Sequence, residues 1–161
     1  MRFSVLYIDD DAAIARLVQR YMGRLGHEVA HSETEEDALA LLRARPFDVV
    51  VLDHYLRQTT GHDVLARMRE AAIDVPVVYV TGSNEAQVAI EAIKAGAADY
   101  VIKTVSDDFL SLLSSAVEQT VANAQLRAAK ARADEEIRLG KERAEALLAE
   151  VNHRVANSLA L

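Results

Sequence analysis

The sequence predicts an α/β fold, a doubly wound parallel five-stranded sheet in a (βα)5 arrangement with a long carboxyl-terminal helix. Three observations predict it. Five short apolar runs, at 5–8, 28–31, 49–52, 77–80 and 100–102, end at intervals of 23, 21, 28 and 22 residues. A helical pattern follows each run, and strand then helix repeated five times is how a parallel sheet covered on both faces reads. Four of the runs end on residues with reactive or charged side chains: Ile8 gives way to Asp9-Asp10, Leu52 to Asp53, Val80 to Thr81 and Ile102 to Lys103. In an open parallel sheet such residues converge at the carboxyl edge of the strands, where these folds place their sites.

Each element has its own signals. Ile14, Leu17, Val18, Tyr21 and Leu25 recur on a 3.6-residue period after the first strand, and Gly23 and Gly26 close that helix. Asp11 suits its N-cap. Thr34 caps the second helix with Asp37 three residues on, and Ala38, Leu41 and Leu42 supply its apolar face. Pro46 lies in the loop before the third strand, Gly61 opens the third helix, Pro76 starts the fourth strand, and Ser83 or Asn84 caps the fourth helix. Asp107-Asp108 favour the N-terminus of a fifth helix. From there to Leu161 the chain has no proline and one glycine, Gly140, so a helix of about 50 residues is expected.

Within that helix Leu110, Leu113, Val117, Thr120 and Ala124 form one stripe, and Ala133, Ile137, Gly140, Ala144, Leu147 and Val151 a second with the same 3/4 spacing. Between 127 and 150 six basic and six acidic residues cover the other faces, with Asp134 and Arg138 in the favourable i,i+4 order. The spacing implies a coiled coil, most simply a parallel homodimer, with a solvated single helix as the alternative. The expected organisation is a domain over 1–122, a helical linker over 123–149 continuous with its last helix, and a distinct segment over 150–161.

Composition narrows the function. Of 161 residues 51% are hydrophobic, enough for a real core, and the absence of cysteine excludes disulfides and thiolate metal sites. No signal peptide is evident and no apolar stretch approaches ~18 residues, so a soluble, cytoplasmic chain without membrane contact is expected. Residues 1–126 carry 11 basic and 19 acidic side chains, whereas 127–161 carry 7 and 6. This acidic balance argues against a nucleic-acid partner and suits recruitment of a hard divalent cation.

At the sheet edge, Asp53 can act as a nucleophile toward phosphorus, forming an acyl phosphate. Phosphoryl transfer relies on positioning and charge neutralisation, so a metal and a cation should flank it. Asp9 and Asp10 offer oxygen ligands for Mg²⁺, Lys103 a point charge, and Thr81 a hydrogen-bond donor. A haloacid-dehalogenase enzyme would want a second Asp two residues after the first, where this chain has Tyr55.

Taken together, YIDD at 7–10, VVVLDHYLRQTTG at 49–61, VVYVTG at 77–82 and GAADYVIK at 96–103 resemble the receiver domain of two-component response regulators over residues 3–122. The resemblance implies a flavodoxin-like receiver fold with Asp53 as phosphoacceptor for a phosphohistidine donor kinase. It also implies Asp10, Asp53 and the backbone carbonyl of Tyr55 as Mg²⁺ ligands, with Asp9 acting through a water. Thr81 and Lys103 would contact the phosphoryl group, and Tyr100 would change position when Thr81 is drawn inward.

Two positions depart from the family pattern, Arg57 and Thr104, each standing where proline is usual. A cis Lys103–Thr104 bond would cost ~2.5–4 kcal/mol, so that bond is expected to be trans and its loop shaped differently. His54 reads as a surface residue.

Near the end, Glu150, His153, Arg154 and Asn157 form ExxHRxxN, which resembles the phosphoacceptor box of HWE and related type-2 histidine kinases. Glu150, three residues back and hence on the same helix face, can orient the His153 ring or take its proton, and the resemblance implies phosphorylation of His153 with Arg154 and Asn157 in support. In that family a second helix and an ATP-binding domain follow, so ATP would act only through a downstream domain and no kinase activity is expected of this chain alone. The expected protein is a receiver regulating such a kinase region through a dimeric helix. The alternative is a scaffold or RNA-binding antiterminator output.

Overall fold

A computed structural model describes residues 1–82, 84–104, 106 and 108–160. The proposed caps Ser83 and Asp107 lie outside these. The chain divides into two units, Met1–Ala122 and Asn123–Leu161.

The first unit alternates strands and helices in the expected order: β1 (Ser4–Ile8), α1 (Ala12–Arg24), β2 (Glu28–Ser32), α2 (Glu35–Ala44), β3 (Val49–Asp53), α3 (Gly61–Glu70), β4 (Val77–Gly82), α4 (Ala86–Lys94) and β5 (Asp99–Lys103). The last helix, α5, is Asp108–Leu159. All strand pairs are parallel and the sheet order is β2-β1-β3-β4-β5. The chain therefore reverses its winding between β1 and β3, which opens a crevice at their carboxyl ends.

Strand alternation explains the two-sided core. Val5, Tyr7, Val49, Val51, Val78 and Val80 face one cluster with Val18 and Met22 of α1 and Leu113 and Val117 of α5. Leu6, Ile8, Val50, Leu52, Val77 and Tyr79 face the other, with Ala38, Leu65, Met68 and Ala92 from α2, α3 and α4. Each fully buried aliphatic side chain contributes about 1.5–3 kcal/mol of transfer free energy. The Leu113, Val117 and Thr120 part of the first α5 stripe is thus buried in this unit and is not an open seam.

Caps follow the side-chain chemistry in most places. Asp11 accepts from the backbone amides of Ala13 and Ile14, and Thr34 from that of Asp37. Thr60, just before Gly61, accepts from the Asp63 amide. Gly23 lies inside α1, and Gly26, at φ +90°, makes the left-handed turn that ends it. The proposed cap Asn84 does not cap α4: Glu85 occupies the N-cap position, and its carboxylate accepts instead from the Gly82 amide preceding the helix.

In the second unit α5 has Ile137, Leu147 and Val151 exposed. The expected Asp134–Arg138 pair is not formed, because Arg138 pairs with Glu135 at 2.6 Å and with Glu142 one turn on. Two acidic neighbours already fill the guanidinium's donor fork.

Candidate functional site

The ends of β1 and β3 build one acidic pocket. Asp9 and Asp10 follow β1 and Asp53 ends β3, the strands flanking the winding reversal, and one carboxylate oxygen from each lies within 4.8 Å of the others. Such an all-oxygen donor set, with three carboxylates against one ammonium, fits a hard divalent cation. Lys103, at the end of β5, places Nζ 2.8 Å from Asp9 Oδ2 and 3.5 Å from Asp53 Oδ1. Thr81 is buried at the end of β4, where its hydroxyl donates to the Gly82 carbonyl at 3.2 Å.

The pocket's electrostatics follow from burial. Desolvation, then the neighbouring Asp9 charge, pushes the Asp53 carboxyl up to about 7 against the partial relief given by Lys103. Burial works against the Lys103 ammonium too, but its hydrogen bond to Asp9 and the charges of Asp53 and Asp9 outweigh that, holding it above its ordinary value. Asp9, fully buried, is held by Tyr7, whose hydroxyl donates to Oδ2 at 2.9 Å, and by the Asp11 amide, which donates to Oδ1 at 2.8 Å. His31 Nε2 donates to the Asp9 backbone carbonyl at 2.7 Å. Burial, then the charge of Asp9, raises the Tyr7 hydroxyl well above the usual phenol range, so it stays a donor.

Among the described residues, the Tyr55 and Tyr100 side chains make no hydrogen bond to Asp9, Asp10 or Asp53. The Tyr55 side chain is exposed and its hydroxyl donates to the Glu85 carboxylate. Tyr100 is exposed on β5, alternating with buried Val101. The Lys103–Thr104 bond is trans, as expected, and Lys103 at the end of β5 delivers its ammonium to the carboxylates.

His54 corrects the sequence reading. It is buried, because β3 carries it under α3, and its Nδ1 lies 2.6 Å from the Tyr79 hydroxyl. Burial, then His62, holds its imidazole below the ordinary value. His62 stacks on Tyr79 and donates from Nε2 to the Val88 carbonyl of α4 at 3.2 Å.

The roles of Tyr7, His31 and Tyr79 were missed in the sequence. Tyr7 was findable, since two residues along a strand put it on the same face as Asp9. His31 and Tyr79 depend on strand order, which single-residue spacing does not carry.

On the second unit His153 is exposed, and its Nε2 lies 3.1 Å from Asn157 Nδ2. Glu150 does not meet the ring. Its carboxylate is taken by Arg154 at 2.7 Å, a stronger, charge-assisted partner one turn away.

Comparison with known proteins agrees with this geometry. The response regulator receiver domain family matches residues 5–114. The chain is 39% identical over 111 residues to the alginate biosynthesis transcriptional regulatory protein AlgB of Pseudomonas putida, covering 69% of this chain and 25% of that protein. It is 33% identical over 127 residues to the regulatory protein LuxO of Vibrio cholerae, covering 79% and 26%. The chain thus spans about a quarter of the length of these relatives. The signal receiver domain ascribed to a LuxO repressor of Vibrio parahaemolyticus superposes with a TM-score of 0.72 at 25% identity, covering 80% of this chain and 97% of that one. The chain belongs to the response regulator receiver domain family of two-component phosphorelay signalling.

Proposed function

We propose that this receiver takes a phosphoryl group on Asp53, assisted by Mg²⁺ held by Asp10, Asp53 and the Tyr55 carbonyl, with Asp9 acting through water. The observation that carries the reading is the cluster of three carboxylates within 4.8 Å beside the Lys103 ammonium. A carboxylate oxygen of Asp53 attacks the phosphorus of a phosphohistidine donor. The new O–P bond forms as the P–N bond breaks, and the leaving imidazole keeps the electron pair and takes a proton. Bound Mg²⁺ supplies charge neutralisation to the phosphoryl oxygens. Lys103 turns toward the same oxygens, Thr81 donates to one of them, and Tyr100 responds to the displacement of Thr81. Hydrolysis of the acyl phosphate by water returns Asp53 and inorganic phosphate.

The output reading rests on the second unit. Its apolar stripe, Ile137, Leu147 and Val151, is exposed in the single chain, which supports a homodimer along α5. The family match ends at residue 114, so the output is argued from the tail's own residues. Exposed His153 within ExxHRxxN supports a phosphoacceptor helix feeding a kinase region. The printed transcriptional roles of AlgB and LuxO support a DNA-binding output as the competing reading.

Phosphorylation of the chain by acetyl phosphate should need Mg²⁺ and vanish in Asp53→Asn; labelling that persists in that variant contradicts the reading. Supplying the full-length protein with ATP should label His153 if the output is a kinase, whereas sequence-specific DNA retention without such a label favours the transcriptional output. Sedimentation equilibrium should show a dimer that Ile137→Glu dissociates, and a wild-type monomer at high concentration would refute the coiled coil.

A further inference from the structure

We propose that Tyr7 is a positioning residue that keeps the Asp9 carboxylate held when Lys103 leaves it for an incoming phosphoryl group. This rests on the reading of Asp53 as phosphoacceptor.

The hydrogen bonds of Asp9 define the problem. Oδ1 accepts from the Asp11 amide, while Oδ2 accepts from two side chains, Tyr7 at 2.9 Å and Lys103 at 2.8 Å. Its amide donates to the Ser32 carbonyl at 3.1 Å, and its own carbonyl accepts from His31 at 2.7 Å. The carboxylate is fully buried, where an ionised group without donors is costly. Lys103 cannot be its permanent partner. The same ammonium lies 3.5 Å from Asp53 and must reach oxygens beyond it.

Tyr7 has the opposite character. Its ring is fully buried in the core among Val49, Val51 and Val80, and β1 alternation aims its hydroxyl along the face that carries Asp9. It cannot follow the phosphoryl group, so its bond to Oδ2 survives the departure of Lys103. Among the described residues it is the other side-chain donor to Asp9. Phenylalanine would fill the same volume with no donor. In Tyr7→Phe the withdrawal of Lys103 would leave Oδ2 unpaired, so the loss falls on the phosphorylated state and spares the resting one.

The test uses the full chain and two probes, Mg²⁺ alone and Mg²⁺ with beryllofluoride as a phosphoryl mimic, followed by amide chemical shifts. Tyr7→Phe should change Mg²⁺ affinity by less than about threefold and weaken beryllofluoride binding by about tenfold or more, the loss of one hydrogen bond to a charged group. In a Lys103→Met background the Tyr7→Phe effect on beryllofluoride should largely disappear, because there is no ammonium to withdraw. Equal weakening of both probes, as for a merely structural tyrosine, overturns the proposal, and so does no change in either. Wild-type chain that fails to bind beryllofluoride, or Asp53→Asn that binds it, overturns the phosphoacceptor reading itself. If Tyr7→Phe loses its native spectrum, 3-fluorotyrosine at position 7 gives the answer in the native core. Its ¹⁹F resonance should move on addition of beryllofluoride beyond the change caused by Mg²⁺, and a resonance indifferent to beryllofluoride refutes the proposal.

Discussion

The Lys103 ammonium is bound more closely to Asp9 than to Asp53, at 2.8 Å against 3.5 Å, so the resting cation sits on the carboxylate that is not the proposed nucleophile. Removing it leaves two buried carboxylates facing each other. Lys103→Met should therefore destabilise the metal-free chain by about 1–3 kcal/mol at neutral pH, read from urea unfolding. Added Mg²⁺ should restore part of that loss, since it brings a cation to the same carboxylates.

The raised Asp53 carboxyl makes stability depend on pH with a definite sign. The group titrates from 3.8 up to about 7 on folding, so between those values the folded chain binds the proton more tightly than the unfolded one. Its contribution therefore falls as pH rises through this window and stays low above it. Asp53→Asn should be more stable than wild type by on the order of 2–4 kcal/mol at pH 8 and near equal to it below pH ~4. Denaturant midpoints across that range, without metal, check it, and Mg²⁺ should narrow the gap.

Gly61 is required by space and not by a turn. A Cβ there would lie 2.5 Å from the Tyr79 hydroxyl oxygen and 2.6 Å from the Asp53 carbonyl oxygen. Because the second neighbour is backbone at the proposed phosphoacceptor, Gly61→Ala should cost about 2 kcal/mol or more and disturb the pocket. Thermal unfolding together with the Asp53 amide resonance reads both effects.

Ala72 offers the reverse case. It ends α3 with φ 56°, a left-handed conformation that L residues disfavour, while the Ile73 amide donates to the Met68 carbonyl at 2.9 Å. Ala72→Gly should raise stability by about 0.5–1 kcal/mol, measured by urea titration, with no change at the pocket.

The parts legible in the sequence are those in which a side chain acts through its own position on its strand. The apolar runs ending at Ile8, Leu52, Val80 and Ile102 located the pocket, because strand alternation and parallel winding send those ends to one edge. His54 was misread because its neighbours come from β4 and α3, and a polar residue after Asp53 looks the same in sequence whether it meets water or the Tyr79 hydroxyl. Glu150 was paired with His153 by spacing alone, yet the i,i+4 guanidinium of Arg154 competes better for a carboxylate. Tyr7 reads in sequence as part of the first apolar run, and only the hydrogen bond to Asp9 shows that its hydroxyl belongs to the site.

Borohydride reduction of chain treated with acetyl phosphate and Mg²⁺, followed by peptide mass spectrometry, identifies the residue that carries the phosphoryl group. An acyl phosphate is reduced to an alcohol, so phosphorylation of Asp53 should leave homoserine in place of aspartate at position 53, absent without Mg²⁺. Aspartate left intact at 53, or reduction at Asp9 or Asp10 in its stead, would contradict it.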